Sequence, residues 1–579
     1  MKRFLAISVF LGGCLLLWGQ FREVPGLYGG VETANYFALL LGAMVATVWL
    51  VKPPATLYRG EVAVFALFVY LMVHVYVTRA SESREFYLSI SYFALYAVFR
   101  VVKGMRLGNC LCLALLLGGI WQAGLVLGQL FGFESSHHIR FAVTGSFFNP
   151  GPCGIFLSGV FVFAVAVVRK GYWRMGMNLM FVRYAVACVA FGVALVAMVP
   201  TMSRAGWLGA LVGTVLLYRR EIAGRLRRCR RWMVGAGVAG LLVLLAVFYL
   251  FKKDSADGRL FIWRNTVEAC LSSPFFGVGI DGFERAYAET QHDFFAERDV
   301  LVQDCRYTEL AGVVESAFNE PLALVLLLGL AGGSLAVTVL YFKLRRLTEY
   351  GCVAVALLVS SLFSYTFYIP SVVLLFLFAL SQLPDRRIGR VRWANAVMYG
   401  MMDVAVLFFG FREYGHREVY REWKTNSIYY TGKDYRNAVD CYAPCYLALR
   451  NDFRYLFEYG HSLHKAGHYE ESNAILKRGT RYSADPMFWN VIGNNYLALK
   501  EYDLARQAYL RAYYTCPNRV YPLYLLTKLE AARKDTAGMH YYGRLLLEKR
   551  PKVPSTAVEE MKFEVRKLLE NSISLKKQQ

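Results

Sequence analysis

The most constraining feature of this sequence is a series of long apolar stretches that continues from its first residues to about Tyr414. A membrane-spanning helix needs about 20 mostly apolar residues, with roughly 17–25 the usual range. Thirteen stretches meet or approach that length: 3–20, 34–51, 61–78, 86–102, 108–131, 150–168, 178–200, 205–218, 232–251, 321–342, 350–366, 368–383 and 394–411. The sequence therefore predicts an all-α fold, with a polytopic membrane bundle over residues 1–393 and a thirteenth span at 394–411.

Basic residues indicate how this bundle is oriented, because cytoplasmic loops carry an excess of Lys and Arg. Clusters of basic residues occur in alternate loops, at 52–59, 100–106, 169–174, 218–232, 343–346 and 385–393. All of them lie on one side if the N-terminus is cytoplasmic and the first stretch is an uncleaved helix rather than a signal peptide. The formal net charge of +23 is then a topology signal, and we expect membrane lipids but no nucleic acid as partners.

This orientation predicts which segments lie on the outer, periplasmic-type face of the membrane. Arg204, the long segment 252–320 and the whole chain after the 394–411 stretch are expected on that face. Asp403 makes the 394–411 span the least certain, since a charge inside a span is costly.

Beyond His416 the chain is polar, and one part of it shows a repeat pattern. The pattern consists of Trp489, Ile492, Gly493, Tyr496, Ala505, Tyr509, Ala512 and Pro517. It resembles the tetratricopeptide repeat, in which small residues let two antiparallel helices approach and aromatic residues fill the gap. We expect a linker at 412–430 and a periplasmic α-solenoid of such repeats at 431–579, whose concave surface binds a protein partner or a glycan.

Four motifs fall on the predicted outer face. They are "VTGSFFNPGPCGIFLSG" (143–159), "TMSRAGWLG" (201–209), "GRLFIWRNTVEACLSSPFFGVGIDGFERAY" (258–287) and "VESAFNEPLALVLLLGLAGG" (314–333). In order and placement they resemble the O-antigen ligase/polymerase family of membrane glycosyltransferases, which is related to protein O-oligosaccharyltransferases. The resemblance implies a GT-C-like enzyme of the bacterial inner membrane that transfers a glycan from a polyprenyl-diphosphate carrier to an acceptor hydroxyl on the periplasmic face.

Arginine suits a diphosphate leaving group, because its guanidinium offers a planar fork of donors and stays charged at any relevant pH. Arg204 is the first candidate, and its alternative is a side chain that snorkels at a helix end. The family's loop motif maps its arginine onto Arg259, whereas Arg264 is suggested by this sequence alone. The expected substrate-binding residues are Ser203, Arg264, Asn149, Trp263 and His292.

A base for the acceptor hydroxyl is the second requirement of such a transfer. Many relatives carry a histidine just before the Asn of the fourth motif, but this chain has Phe318 before Asn319. The remaining candidates are Glu320, which follows Asn319, and Glu315, which we expect one helical turn before it. His292 and the pair His137 and His138 are more distant options. The alternative for Glu320 is a charge that stabilises a helix N-terminus. The catalytic candidates are thus Arg204, Arg259, Glu320, Asn319 and Glu315.

The predicted outer loops lack the paired carboxylates of metal-dependent glycosyltransferases, so we expect metal-independent, inverting transfer without a cofactor. The run "GVGIDG" (277–282) fits a G-x-G-x-x-G template, but no strand–helix unit surrounds it and we expect a flexible turn. Cys270 and Cys305 share the long outer segment, and whether they form a disulfide is open.

Three acceptors fit the expected reaction, and the sequence leaves all three open: lipid A–core, a growing glycan, or a serine or threonine of a protein. They correspond to an O-antigen ligase, a polymerase and a protein O-oligosaccharyltransferase. A transporter or flippase is the rival from another class, and it predicts ionisable residues or broken helices near the bilayer midplane. An inactive scaffold that recruits partners through its repeats is a third reading, which Phe318 alone supports.

Overall fold

The structure of the protein is a computed structural model. It describes residues 56–80, 83–101, 103, 106–169, 177–226, 253–298, 301, 307–551 and 555–578. The predicted spans at 3–20, 34–51 and 232–251 lie outside the described residues, as does Cys305.

The described residues are mostly helical, which confirms the all-α prediction. Two short antiparallel strands, β1 (Thr56–Tyr58) and β2 (Arg387–Arg390), pair with Thr56 opposite Arg390. The helices of the apolar part are α1 (Arg59–Thr78), α2 (Arg84–Val101), α3 (Arg106–Leu130), α4 (Pro150–Arg169), α5 (Met177–Met198), α6 (Arg204–Leu217), α7 (Arg219–Leu226), α8 (Lys253–Ser272), α9 (Phe283–Glu297), α10 (Glu320–Leu344), α11 (Glu349–Ser361), α12 (Pro370–Ser381) and α13 (Arg392–Tyr414). The polar part contributes α14 (Arg417–Thr431), α15 (Tyr435–Tyr442), α16 (Tyr446–Leu449), α17 (Phe453–Ala466), α18 (Tyr469–Gly479), α19 (Met487–Ala498), α20 (Tyr502–Thr515), α21 (Tyr521–Ala532), α22 (Thr536–Glu548) and α23 (Thr556–Gln578).

The chain divides into two compact units. The bundle unit comprises Met1–Ala256, Pro274–Ile280 and Ala317–Gly415. The repeat unit comprises Asp257–Ser273, Asp281–Ser316 and His416–Gln579. Most of the predicted outer loop therefore belongs to the same unit as the C-terminal helices, while its middle belongs to the bundle.

Six helices of the described residues are long and apolar enough to cross a membrane. They are α1, residues 111–130 of α3, α4, residues 181–198 of α5, α10 and residues 392–412 of α13. Helices α6, α11 and α12 are also apolar but have only 14, 13 and 12 residues. These helices indicate a multi-pass membrane protein.

Helix α4 forms the centre of the bundle unit. It is apolar on all sides, which is typical of a helix that packs against neighbours around its whole circumference. All residues from Pro152 to Val167 are buried, and the helix contacts α3, α5, α6, α11 and α12. The motif at its N-terminus is therefore held by a helix that packs against five neighbouring helices.

Helix α10 is interrupted at Gly329, whose φ of 67° is not helical. The segment 274–280 pairs with the interrupted backbone. Four backbone hydrogen bonds join the two segments. The amides of Leu330 and Ala331 in α10 donate to the carbonyls of Pro274 and Phe275. In the other direction, the amides of Val278 and Gly279 donate to the carbonyls of Leu326 and Leu327. The Leu328 carbonyl accepts a further hydrogen bond from the Tyr70 hydroxyl at 2.6 Å. Backbone groups released inside a membrane must find such partners, because water is absent there. Within the run 277–282, where we expected a flexible turn, Val278 and Gly279 thus make backbone hydrogen bonds to α10.

A buried charge cluster joins α1, α2, α10 and α13 at the other end of α10. The Glu61 carboxylate accepts from Arg100 Nε at 2.5 Å, from Lys343 Nζ at 2.6 Å and from the Tyr399 hydroxyl at 2.9 Å. Lys343 also pairs with Asp385 at 3.1 Å. Buried charges require such partners, because desolvation is otherwise too costly. Arg100 and Lys343, counted above as loop charges, are thus partners of buried carboxylates.

The repeat unit contains three consecutive helical hairpins, α17–α18, α19–α20 and α21–α22. Their first helices begin at Phe453, Met487 and Tyr521, at intervals of 34 residues. In the second hairpin the ring of Tyr509 packs directly against Gly493, as the small-and-aromatic pattern predicts. Each hairpin packs on the next through α18 with α19 and α20 with α21.

A helix occupies the region that we expected to be a linker. α13 extends to Tyr414, and α14 follows from Arg417 to Thr431. The buried Trp423 of α14 donates its indole N–H to Glu458 of α17 at 2.9 Å. Because α14 buries only Tyr420 and Trp423, its sequence is as polar as that of a linker although the helix packs on the repeats.

Candidate active site at the ends of the bundle helices

The start of α6 holds the serine and the arginine of the second motif. Ser203 is the N-cap of the helix, and its hydroxyl accepts a hydrogen bond from the Gly206 amide. Arg204 is the first helical residue and is half-buried. Met202, just before them, has a φ of 50°, a conformation that residues other than glycine rarely adopt. Backbone strain of this kind is concentrated at functional sites.

Ser203 also connects α6 to the start of α4. Its hydroxyl donates to the Gly151 carbonyl at 3.1 Å. The two helices approach closely, since a Cβ added to Gly206 would lie 2.6 Å from the carbonyl oxygen of Gly154. Asn149 is exposed just before α4, and its side-chain oxygen accepts from the Gly151 amide at 2.9 Å. The first turns of α4 and α6 therefore lie side by side.

The start of α10 is built in the same way as the start of α6. Phe318 has a φ of 51°, Asn319 is the N-cap, and Glu320 is the first helical residue. The Asn319 side-chain oxygen accepts from the Leu322 amide at 3.0 Å. The Phe318 ring meets that of Tyr365 edge to face, with centroids 5.3 Å apart. The position of the relatives' histidine is thus taken by an aromatic contact.

Helix α11 links the starts of α6 and α10 through its last turn. The Ser360 hydroxyl donates to the Ala205 carbonyl at 3.0 Å. The Asn319 side-chain amide donates to the Leu362 carbonyl at 3.2 Å. Sequence reasoning missed Ser360 and Leu362, although a pair of serines at the end of an apolar helix was a usable signal.

Glu320 holds the turn between α11 and α12. One of its carboxylate oxygens accepts the Phe367 amide at 2.7 Å. Phe367 belongs to a single 3₁₀ turn, Thr366–Tyr368, which directly precedes α12. The carboxylate therefore has a structural partner, which the sequence did not indicate.

Three helix N-termini, those of α4, α6 and α10, are thus connected by hydrogen bonds in one region of the bundle unit. A helix N-terminus carries roughly half a positive elementary charge and exposes backbone N–H groups. Such ends bind phosphate and other anions. Arg204 adds a cation at the start of α6, and Glu320 adds a carboxylate at the start of α10.

The third motif lies in the repeat unit, on α8. Phe261 and Asn265 of this helix are buried, whereas Arg259 and Trp263 are half-buried and one turn apart on another side. Arg264 is exposed, and its guanidinium carbon lies 4.3 Å from the centroid of the Phe294 ring. Arg264 thus has a cation–π partner within the repeat unit.

Three further predicted residues also lie in the repeat unit. His292 Nδ1 is 2.9 Å from Asp293 Oδ1, and its ring meets that of Tyr514 edge to face. Cys270 is a free thiol, and burial raises its pKa to about 11. Glu315 is exposed in a non-helical segment. The expectation that it lies one helical turn from the Asn of the fourth motif was wrong, because α10 begins only after that N-cap.

The second and third motifs lie within a recognised protein-family region. The model of a family described as O-antigen ligase matches residues 188–302. The matched region includes Ser203, Arg204 and Arg259, whereas Asn149 and Glu320 lie outside it. No curated protein matches the chain. The family match supports the resemblance to O-antigen ligases that the four motifs indicate.

Proposed function

We propose that this chain is an O-antigen ligase-type glycosyltransferase of the bacterial inner membrane. It transfers a glycan from a polyprenyl-diphosphate carrier to an acceptor hydroxyl on the periplasmic face. One observation carries the proposal: the Ser203–Arg204 start of α6, inside the family match, is hydrogen-bonded to the first turn of α4 and, through α11, to the start of α10. This arrangement gives an anion three helix N-termini and an arginine.

In the proposed reaction the acceptor oxygen attacks the anomeric carbon of the first sugar from the side opposite the diphosphate. The new carbon–oxygen bond forms while the bond to the diphosphate oxygen breaks, and the polyprenyl diphosphate leaves with the electron pair. The acceptor proton passes to a base. Arg204 and the helix N-termini stabilise the charge that develops on the diphosphate, which a fixed, preorganised site does more effectively than water.

Glu320 is the base that we favour in this reaction. It is the carboxylate nearest in sequence to the Asn319 N-cap, and one of its oxygens is oriented by the Phe367 amide. Arg259 and Trp263, on a face of α8, are proposed to contact the carrier or its glycan. Metal-independent, inverting transfer remains part of this proposal.

The proposal is tested by replacing Arg204 in the full chain and measuring glycan transfer in membranes. We expect Arg204→Ala to lower transfer by at least about 100-fold, the usual cost of removing one donor to a developing anion. Arg204→Lys should recover only part of the activity, because an ammonium lacks the planar fork. Arg259→Ala should be similarly impaired.

Arg140→Ala provides the matched control, because Arg140 is an exposed arginine of the segment before α4. It should transfer at the wild-type rate. Wild-type transfer by Arg204→Ala at equal protein level would refute the site. Deletion of the gene, followed by analysis of lipid A–core, polysaccharide chain length and glycoproteins, identifies the acceptor.

One observation favours a transporter as the second candidate function. The interruption of α10 at Gly329 is a broken membrane helix, a feature that transporters use to bind ions and substrates. Here, however, Pro274–Ile280 and Tyr70 take up backbone groups released by the interruption. Uptake of a lipid-linked glycan into vesicles without transfer to an acceptor would support the transporter instead.

A further inference from the structure

The two helices of the predicted outer loop, α8 and α9, share one apolar core with the C-terminal repeats. Phe261 of α8 and Phe295 of α9 are buried in the same cluster as Tyr509 of α20 and Leu526 of α21. Ala311, in the non-helical segment 307–316, is part of it as well. An array of helical hairpins can offer its surface to partners. In this chain the loop helices themselves cover part of the surface of α20.

Gln291 of α9 lies at the centre of the polar contacts inside this core. Only 1% of its surface is exposed, and both its side-chain nitrogen and its side-chain oxygen form hydrogen bonds with protein atoms. Its nitrogen donates to the Gly312 carbonyl at 3.1 Å and to the Thr515 carbonyl at 2.5 Å. Its oxygen accepts from the Tyr287 hydroxyl at 3.1 Å. One side chain thus joins α9 to the last residue of α20 and to the segment 307–316.

The same contacts continue to α8. The buried Asn265 side chain donates to the Tyr287 hydroxyl at 3.5 Å. Burial raises the pKa of Tyr287, so its hydroxyl keeps the proton that it shares with Gln291. A second link from the repeats, the Asn518 side-chain amide, donates to the Ala311 carbonyl at 2.5 Å. Each of these links satisfies a buried polar group that would otherwise be costly to desolvate.

The contacts also fix how α8 is rotated. Phe261, Asn265 and Ala269, which recur every fourth residue, are buried in the unit. Helical periodicity then directs Arg259 and Trp263, also four residues apart, to another side of the helix. A small displacement of a substrate-contacting group can cost a large factor in rate. The contacts that hold α8 in place therefore affect how much Arg259 can contribute to the rate of transfer.

We propose that Gln291 is a positioning residue, which fixes the loop helices on α20 so that the face of α8 carrying Arg259 is correctly oriented for transfer. The C-terminal repeats then serve as an intramolecular packing surface for the loop that carries the third motif. This inference rests on the proposed function, because it assigns α8 a role in glycan transfer.

The experiment compares two opposite isosteric substitutions on α9 in the full chain, reconstituted in lipid nanodiscs. Gln291→Glu replaces the nitrogen donor by an oxygen that faces two carbonyls. Glu289→Gln, at an exposed position of the same helix, is the matched control. Gln291→Asn is a milder variant, too short to reach both carbonyls, in case the first fails to accumulate.

Two measurements are made on each variant. Backbone amide exchange of α8 should be at least about ten-fold faster in Gln291→Glu, since buried hydrogen bonds are lost. Exchange in α17 and α18 should not change, which separates displacement of the loop from unfolding of the unit. Transfer should fall at least about ten-fold, mainly in kcat rather than in KM for the carrier.

Unchanged exchange of α8 in both Gln291 variants would overturn the inference. Faster exchange with wild-type kcat would overturn it too, because the loop would then be held without consequence for transfer. If the wild-type chain itself transfers no glycan, the proposed function fails, and the exchange measurement still decides whether Gln291 holds the loop helices.

Discussion

At the scale of single residues, the candidate site repeats one local construction. Met202–Ser203–Arg204 and Phe318–Asn319–Glu320 each consist of a residue with positive φ, a polar N-cap and a charged first helical residue. A bulky side chain in that conformation is unfavourable, and the surrounding contacts must maintain it. In both places the cap lies where two helix ends meet. The positive φ and the N-cap therefore fix the positions of Arg204 and Glu320 at the starts of their helices.

Glu320 can be tested because its two possible roles need different atoms. A glutamine keeps the oxygen that accepts the Phe367 amide but cannot take a proton, whereas an alanine loses both. If Glu320 is the base, Glu320→Gln should lower turnover about 100-fold or more without weakening carrier binding. Single-turnover transfer together with a carrier-binding assay measures the two quantities separately.

Glu320→Ala provides the comparison that identifies a purely structural role. Near-wild-type turnover in Glu320→Gln, combined with a less stable Glu320→Ala, would mean that the carboxylate only holds the turn before α12. In that case the base must come from elsewhere.

Some of these residue roles follow from the sequence, and others do not. The pairs Ser203–Arg204 and Asn319–Glu320 are visible because a polar residue and a charge interrupt apolar runs. The role of Asn319 as an N-cap fixes the start of α10, and this start removes the helical argument for Glu315. The partner Ser360 is distant in sequence, so only the fold could bring it to α6.

At the scale of elements, the interruption of α10 is the least expected feature. An apolar run of this length predicts one continuous helix, and the helix is interrupted because Pro274–Ile280 supplies partners for its backbone. The glycines of that segment indicated a turn. They did not indicate its partner, which lies about 50 residues further along the chain and cannot be found by local pattern. The 34-residue hairpins are different, because their pairing is between sequence neighbours and the repeat spacing predicts it.

Gly329→Ala should destabilise the bundle unit, because its positive φ disfavours a Cβ and the added carbon would collide with the Phe275 carbonyl. The conformational strain alone is worth about 1–3 kcal/mol. Thermal unfolding in detergent should show a lower midpoint than for the wild-type chain.

Gly333→Ala, four residues further along α10, is the control. A Cβ there meets only the Val325 side chain at 3.5 Å, an ordinary contact. Alanine also favours a helix over glycine. Equal midpoints for the two variants would mean that the pairing of Pro274–Ile280 with α10 does not stabilise the solubilised chain.

At the scale of the whole molecule, the shared core of the repeat unit constrains the membrane topology. Segments before α10 and after α13 pack in one unit, so they must lie in the same compartment. The chain between them must then cross the membrane an even number of times. Four helices, α10 to α13, separate the two segments, and this number supports α13 as a true span despite Asp403. Composition alone left the span at 394–411 uncertain. It could not show that the helices after this span pack against the segments before α10.

A reporter at the C-terminus tests the expected topology. Alkaline phosphatase fused after Gln579 should be active, because it needs the disulfides that form in the periplasm. A fluorescent protein that matures only in the cytoplasm should be dark at the same position. Both results follow if the basic clusters at 343–346 and 385–393 stay inside and the repeats stay outside.

Fusions after Arg346, between α10 and α11, should give the reverse pattern and so serve as the internal control. Cytoplasmic fluorescence after Gln579 would place the repeats inside. Because the repeats share a core with α8 and α9, the third motif would then be inside as well. That outcome would exclude transfer from a carrier on the periplasmic face with Arg259 taking part, whereas a periplasmic C-terminus puts Arg259 in the compartment where the proposed transfer occurs.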